Sequence, residues 1–521
     1  MKKNHHIYQI LKKTILVLLI FIGAGCTENF VERNTSPTGL ATLNTDDLKS
    51  LFPNALYRGW NQGSYQTGQN LLADMYAQYF FCTQTAFGTH RYVINQSWLQ
   101  SFWTGTYVQT MPSLVTIIEQ SAENMPTINA IARIWKVFIM NRTTDYFGPI
   151  PYSKMGSYVE GEGVAYDSQK DIYYDFFKEL DEATRLLKEN ISTPSFADKD
   201  LVFNGNNEKW LKFGNTLRLR LALRISFVEP EKAKAEAEAA ISGGVMETIE
   251  DNGLMKSTAA NFNGLNRITG WNEFRMSANM ESLLLGYKDP RLSVYFMPAK
   301  NDGKWRGGRS GLVPGEQTVG LNTYDNTSNV SARFLPENQS NNPMTVMYAA
   351  EAYFLRAEGA LNGWNMGSGT AEEYYNKGIE MSMKTWDITD PTVIGNYING
   401  TSLPIAPAPE NGWNTPPLTD IPVRFSTVEE KQREQIGTQK WLALYPNGME
   451  AWAEMRRSGY PKMYPLINSD NPDMPKDQMI KRIVFADRDR QTNTKAVEAA
   501  VGLLGPGGDK VSTRLWWDVK P

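Results

Sequence analysis

The sequence predicts a mainly α-helical fold of paired helices with long irregular loop insertions and little β-structure. Three observations carry this. Apolar residues recur at helical spacing in one long segment after another. Helix–turn–helix units close on small residues. Between them lie stretches rich in Gly, Asn, Ser and Thr that are too long for plain connectors, and loops of that kind on a stacked scaffold tend to carry function.

The first element is an address. Met1 to Lys13 is basic, Ile15 to Ile22 is wholly apolar, and Gly23-Ala24-Gly25-Cys26 follows at once. A charged start, a short apolar run and small residues make a secretory signal, too short to span a membrane. A cysteine directly after the small residues resembles a bacterial lipobox, with Gly23 departing from the usual leucine. Residues 1–25 are therefore expected to be a signal peptide and Cys26 the site of lipidation, whose acyl chains would hold the protein at a membrane. Residues 26–46, polar and containing Pro37 and Gly39, read as a lipidated tether. Residues 47–521 read as a single domain.

Within that domain, Leu71 to Phe81 has helical character, as does Trp98 to Ala122. In Ala130 to Ser153, residues Ile131, Ile134, Trp135, Phe138 and Ile139 share one helical face. Arg142 and Asp145, three residues apart, are expected to pair beyond it. Gly148, Pro149 and Pro151 then stop the helix. Ile172 to Leu187 and Glu208 to Phe227 are further helices. Pro230 suits the first turn of an Ala-rich helix, Glu231 to Ile241, which Gly243-Gly244 ends. Met347 to Trp386 is the clearest pair. Ala349, Ala352, Ala357 and Ala360 make a small-residue face, Asn362-Gly363 breaks, and Tyr374, Tyr375, Gly378 and Ile379 follow on the partner. The unit resembles a tetratricopeptide repeat, but its period is not kept elsewhere, so scattered helical pairs are expected rather than a regular solenoid.

Composition narrows the function. The chain of 521 residues is 41% hydrophobic and 12% aromatic, with 14 Trp, 24 Tyr and 22 Phe, enough for a large core and for surfaces that stack on ligands. Net charge is −3, and the segment before Cys26 holds lysines but no acid, so its removal makes the rest more acidic. That argues against a nucleic-acid partner. Cys26 and Cys82 are the only cysteines, and no internal disulfide is expected. Of three histidines, only His90 lies beyond the signal segment, so a serine–histidine triad or multi-histidine metal site would have to be built on it. The acidic runs at Asp487-Arg488-Asp489 and Ser469 to Asp473 lack the spacing of a calcium loop, and Gly505 to Gly508 lacks the Lys-Ser/Thr of a phosphate loop. No metal or cofactor is expected.

Four segments share a further likeness. Asn141 to Ser153 (NRTTDYFGPIPYS), Asp289-Pro290-Arg291-Leu292, Gly437 to Pro461 (GTQKWLALYPNGMEAWAEMRRSGYP) and Arg514-Leu515-Trp516-Trp517-Asp518 occur in the order seen in SusD/RagB-like lipoproteins. Asp487 and Asp489 depart from that pattern. The resemblance implies a SusD-like helical fold and a lipid anchor in the outer membrane with the protein displayed at the cell surface. It also implies capture of a nutrient, an oligosaccharide or peptide, for delivery to a SusC-like TonB-dependent transporter, without catalysis. The competing reading is a surface glycoside hydrolase using a carboxylate pair. Phe87, Arg91, Tyr92, Trp271, Trp305 and Arg306 lie in irregular stretches of the kind where family members carry ligand-binding aromatics, and are the expected ligand-binding residues. Trp135, Trp441, Trp452, Trp516 and Trp517 are assigned to the core.

Overall fold

The computed structural model describes residues 43–408 and 414–520. The signal segment, Cys26 and most of the tether lie outside the described residues. Contacts divide the chain after Leu48, and the body of the protein is the unit from Lys49 onward.

The predicted helices form, with their ends set by local chemistry. After α1 (Thr45–Asn61) comes a π-helical segment, Tyr65–Asp74. The helix expected to reach Phe81 stops earlier. Gln78 takes a left-handed φ of 52° and the chain enters strand β1, Phe80–Cys82. Asn95 caps α2 (Gln96–Thr104), and α3 spans Met111–Ser121. Long helix α4 (Pro126–Phe147) has proline in its first turn and ends at Gly148, φ 84°. Ser168 and Asn206 accept backbone N–H groups at the starts of α5 (Gln169–Glu189) and α6 (Asn207–Arg224). Pro230 opens α7 (Pro230–Gly243). Helices α3 to α7 each pack on the next.

Beyond them, β2 (Gly253–Met255), α8 (Gly264–Thr269), β3 (Phe274–Met276) and α9 (Ala278–Gly286) lead into the long insertion. β4 (Met344–Met347) returns to pair with β2, while β1 pairs antiparallel with β3. The second helical pair is α10 (Ala349–Leu361) and α11 (Ala371–Thr385), the latter started by a Thr370–Glu373 capping box. Its small residues allow close packing, since a Cβ at Gly378 would lie 2.8 Å from the Phe354 ring. α12 (Glu429–Leu444) packs on α10 and α11, and α13 (Gly448–Ser458) comes next. Among the described residues no helix is long and apolar enough to cross a membrane.

Trp135, Trp441, Trp452 and Trp517 are fully buried, and Trp516 is half-buried. The indole N–H of each of these four buried tryptophans finds an acceptor: Ala55, Ala77 and Ile480 carbonyls at 3.0, 2.9 and 3.1 Å, and Asp145 Oδ1 at 2.9 Å.

The Arg142–Asp145 pair does not form. Arg142 turns to the carbonyls of Gly59 and Trp60 and to Gln69 Oε1. Asp145 instead accepts from Tyr173 and Trp517 and lies 3.5 Å from Arg224. Both side chains are buried; Arg142 finds its acceptors on other packed elements, and Asp145 finds its partners there too, apart from Asn141 of its own helix, which donates to it at 3.0 Å. Likewise the charged residues of α13 reach beyond their own helix. Glu450 pairs with Arg224, while Arg457 bridges Glu454 and Glu358. Arg220 makes two 2.6 Å bonds to Glu351, and Arg291 grips Asp289, both fully buried.

Candidate ligand-binding face

Strand register decides which loops meet. β1 and β3 run antiparallel with Cys82 opposite Phe274, so the loop leaving β1 and the loop entering β3 emerge at the same end. Cross-bonds tie them together: Thr83 donates its N–H to Glu273 O at 3.0 Å and its hydroxyl to Asn272 O at 2.5 Å. Asn272 turns the chain with φ 57°, a conformation asparagine tolerates. Trp271, next to it, is left 45% exposed.

Arg275 holds the other side. Its guanidinium donates to Asn272 Oδ1 at 2.6 Å and to Tyr324 O at 3.0 Å, and lies 5.5 Å from the Tyr324 ring, which is 44% exposed. Burial lowers its pKa to about 10.

Trp271 also forms one wall of a groove of about 440 Å³. The other walls include Tyr57 and Arg58 of α1, Asn61 and Gln66 at and just beyond its end, and Phe262 and Arg267. Tyr57 meets Phe262 edge-on at 6.5 Å, and the Arg267 guanidinium lies 5.2 Å from that same ring. Gly264 makes the close approach possible at the start of α8, because a Cβ there would sit 2.4 Å from Tyr65 Cβ. Gln66 donates to Glu273 at 2.6 Å, and desolvation holds that carboxyl above its ordinary range. The groove thus offers flat apolar rings beside guanidinium and amide donors, a combination suited to a ligand with apolar faces and a hydroxylated edge.

Of the residues expected from sequence, Trp271 stands in this groove. Phe87, on the loop leaving β1, packs edge-on against Trp98 at 5.5 Å and is half-buried. Arg91 is buried, donating to Asp470 at 2.6 Å and to Leu312 O at 3.0 Å. Tyr92 is buried with φ 67°, its hydroxyl on Gln478 O, and it lines a different cavity. Trp305 is half-buried against the core. Arg306 is buried, bonded to Asp302 at 2.8 Å and Asn326 O at 2.5 Å. His90, the one histidine on which a triad or metal site could have been built, is buried too. Tyr57, Arg58, Gln66, Arg267 and Arg275 were missed. They sit in or beside regular elements, where periodicity reads them as scaffold; the Asn61–Gly63 break after α1 was the available signal.

The family model for SusD-like proteins, the SusD and RagB outer-membrane lipoproteins, matches residues 40–518. The chain belongs to the SusD/RagB family. Solved structures agree. A chitin-binding SusD homologue from Flavobacterium johnsoniae is 33% identical, with TM-score 0.83, covering 91% of this chain and 99% of its own. A SusD-like protein from Bacteroides thetaiotaomicron is 34% identical, with TM-score 0.80 over 90% and 99% of the two chains. A homologue from Bacteroides vulgatus is 30% identical, with TM-score 0.81 over 89% and 97%. No protein of curated function matches. In this SusD-like chain the four segments that resemble the family are largely scaffold: Arg142, Asp145, Arg291, Arg457 and Trp517 are all buried. The groove lies outside those segments.

Proposed function

We propose that this outer-membrane lipoprotein captures an oligosaccharide at the Trp271 groove and hands it to a SusC-like TonB-dependent transporter, anchored through Cys26 and without cleaving its ligand. The observation that carries the reading is the exposed Trp271 indole set beside Tyr57, Phe262 and the Arg58, Asn61, Gln66 and Arg267 donors. Sugars stack their apolar faces on such rings and offer hydroxyls to such donors. The chitin-binding homologue from Flavobacterium johnsoniae supports a glycan as the ligand class. Among the described residues no carboxylate lines the groove, and Glu273, bonded to the lining residue Gln66, is a single acid rather than the pair a glycosidase uses.

The test is calorimetry with a panel of soluble oligosaccharides, chitooligosaccharides included, alongside a product assay on the same samples. Binding without product over hours is expected. Trp271→Ala should weaken binding at least about tenfold, about 1.4 kcal/mol, as loss of a central aromatic anchor does. Unchanged affinity in that variant, or release of shortened sugars, would overturn the reading. Partnership is tested by whether a SusC-like transporter from the same cells co-purifies with the intact lipoprotein.

A further inference from the structure

A second cavity, of about 210 Å³, is lined by the chain following α13 and by the C-terminal segment. Its wall carries Arg456, Lys462, Lys476, Lys481, Arg514 and Lys520 against one carboxylate, Asp477. Such an excess of one sign in a concave site concentrates anions.

At its inner end is Arg456, only 3% exposed. The guanidinium lies 3.6 Å from the Trp452 ring and 5.0 Å from Trp517. Its Nε donates to Trp452 O at 3.2 Å, and Nη1 donates to Asp145 O at 2.9 Å and Lys481 O at 2.8 Å. All three acceptors are neutral carbonyls. Nη2 is buried and has no hydrogen-bond partner among the described residues. A buried donor of a charged group left unmet is a costly arrangement and calls for an acceptor.

The neighbouring cations are only partly neutralised by acids. Lys462 pairs with Glu434 at 2.9 Å, and Lys481 and Arg514 approach Asp518 at 3.5 and 3.9 Å. Lys520 is taken up by Ser458 O at 2.7 Å and the Tyr460 ring. Lys476 is exposed and has no ion pair among the described residues.

We propose that this cavity binds an oxyanion, a carboxylate or sulfate group, with Arg456 Nη2 as its buried donor and the surrounding ammonium groups supplying the field. A volume of 210 Å³ is below the range of about 300–1,000 Å³ typical of sites for drug-sized ligands, so the occupant is a charged group carrying at most a small body. Two sources share that chemistry, a free inorganic anion and an acidic substituent on a sugar. The site is separate from the Trp271 groove, and its test does not depend on what that groove binds.

The experiment titrates the full chain at low ionic strength with sulfate, with glucuronate, and with chloride at matched ionic strength, reading calorimetry and melting temperature. Saturable one-to-one binding of sulfate or glucuronate, not reproduced by chloride, is expected. Tighter binding of glucuronate assigns the site to a charged sugar; tighter or equal binding of sulfate assigns it to the bare anion. Arg456→Lys, which removes Nη2 and keeps the charge, should weaken binding about tenfold. Because Arg456 is buried and its replacement also disturbs the core, Lys476→Glu at the exposed position gives the second reading. It should weaken binding while leaving the unliganded melting temperature unchanged. Sulfate affinity unaltered in Lys476→Glu, or a chloride response equal to that of sulfate, would overturn the proposal.

Discussion

Two regions of this molecule use the same side chains to opposite ends. Around α6, α10 and α13, arginine heads are buried and met by carboxylates: Arg224 by Glu450, Glu454 and Asp145, Arg220 by Glu351, Arg457 by Glu358 and Glu454. At the groove, Arg58 and Arg267 are exposed and have no carboxylate partner among the described residues. The aromatics divide in the same way. Trp135 and Trp452 are sealed with their N–H groups satisfied, while Trp271 shows nearly half its surface to water. An arginine whose donors are already met by buried carboxylates holds a shape. One whose donors face solvent beside an exposed ring is free to receive a ligand.

The contrast is broken most severely from the scaffold side. Arg224→Met leaves Glu450, Glu454 and Asp145 buried around a missing cation, and should cost about 3–5 kcal/mol of stability. Urea denaturation measures this, and oligosaccharide affinity of the remaining folded protein should be unchanged. Gly378→Ala is the next largest. Its added methyl meets the Phe354 ring at 2.8 Å between α10 and α11, for a loss of about 1–3 kcal/mol, again without effect on affinity. Trp271→Ala should show the reverse pattern: affinity falls at least about tenfold while stability stays within about 0.5 kcal/mol. A loss of stability matching the loss of affinity would erase the distinction between the two regions.

That distinction also explains what could be read in advance. Helical pairs announce themselves through local spacing: Ile131 to Ile139 and Ala349 to Ile379 each repeat on a period fixed by the helix itself. Trp271 lies in an irregular stretch with no face to bury it, and it does stand exposed. Arg142 and Asp145 misled because sequence separation shows only the neighbours a helix provides, and both side chains found partners on other elements. Arg91, Tyr92 and Arg306 misled for a related reason. An irregular stretch can be as buried as a helix, and these three pin loops through bonds to Asp470, Gln478 and Asp302, residues whose proximity no local pattern encodes. Tyr57 and Arg58 could not be separated from core positions, since only the return of Phe262 and Arg267 across the chain makes a groove of them.

The last expected effect is one of pH, and it is read on the scaffold. Asp74 is fully buried and accepts from Tyr65, Gln69 and the Gly448 N–H, neutral donors that only partly offset desolvation, so its carboxyl rises to about 7. The folded chain therefore keeps a proton there that the unfolded chain releases near its ordinary value of 3.8. Stability from this group is complete below that value and is lost as pH climbs through 7. His90 acts in the opposite sense. Burial, with Arg91 beside it, lowers its pKa to about 3 from 6.5, so stability is lost as pH falls through that window. Asp74→Asn removes the first slope and leaves the second, and melting temperature should then rise with pH from about 4 to 6.5 more steeply than in the natural chain. Equal slopes in the two proteins would show that the Asp74 site does not hold its proton. Among the described residues the groove lining has neither carboxylate nor imidazole. Glu273, bonded to the lining residue Gln66 and held above its ordinary range, is the acid beside it, so any pH dependence of oligosaccharide affinity should follow Glu273 and persist in Asp74→Asn.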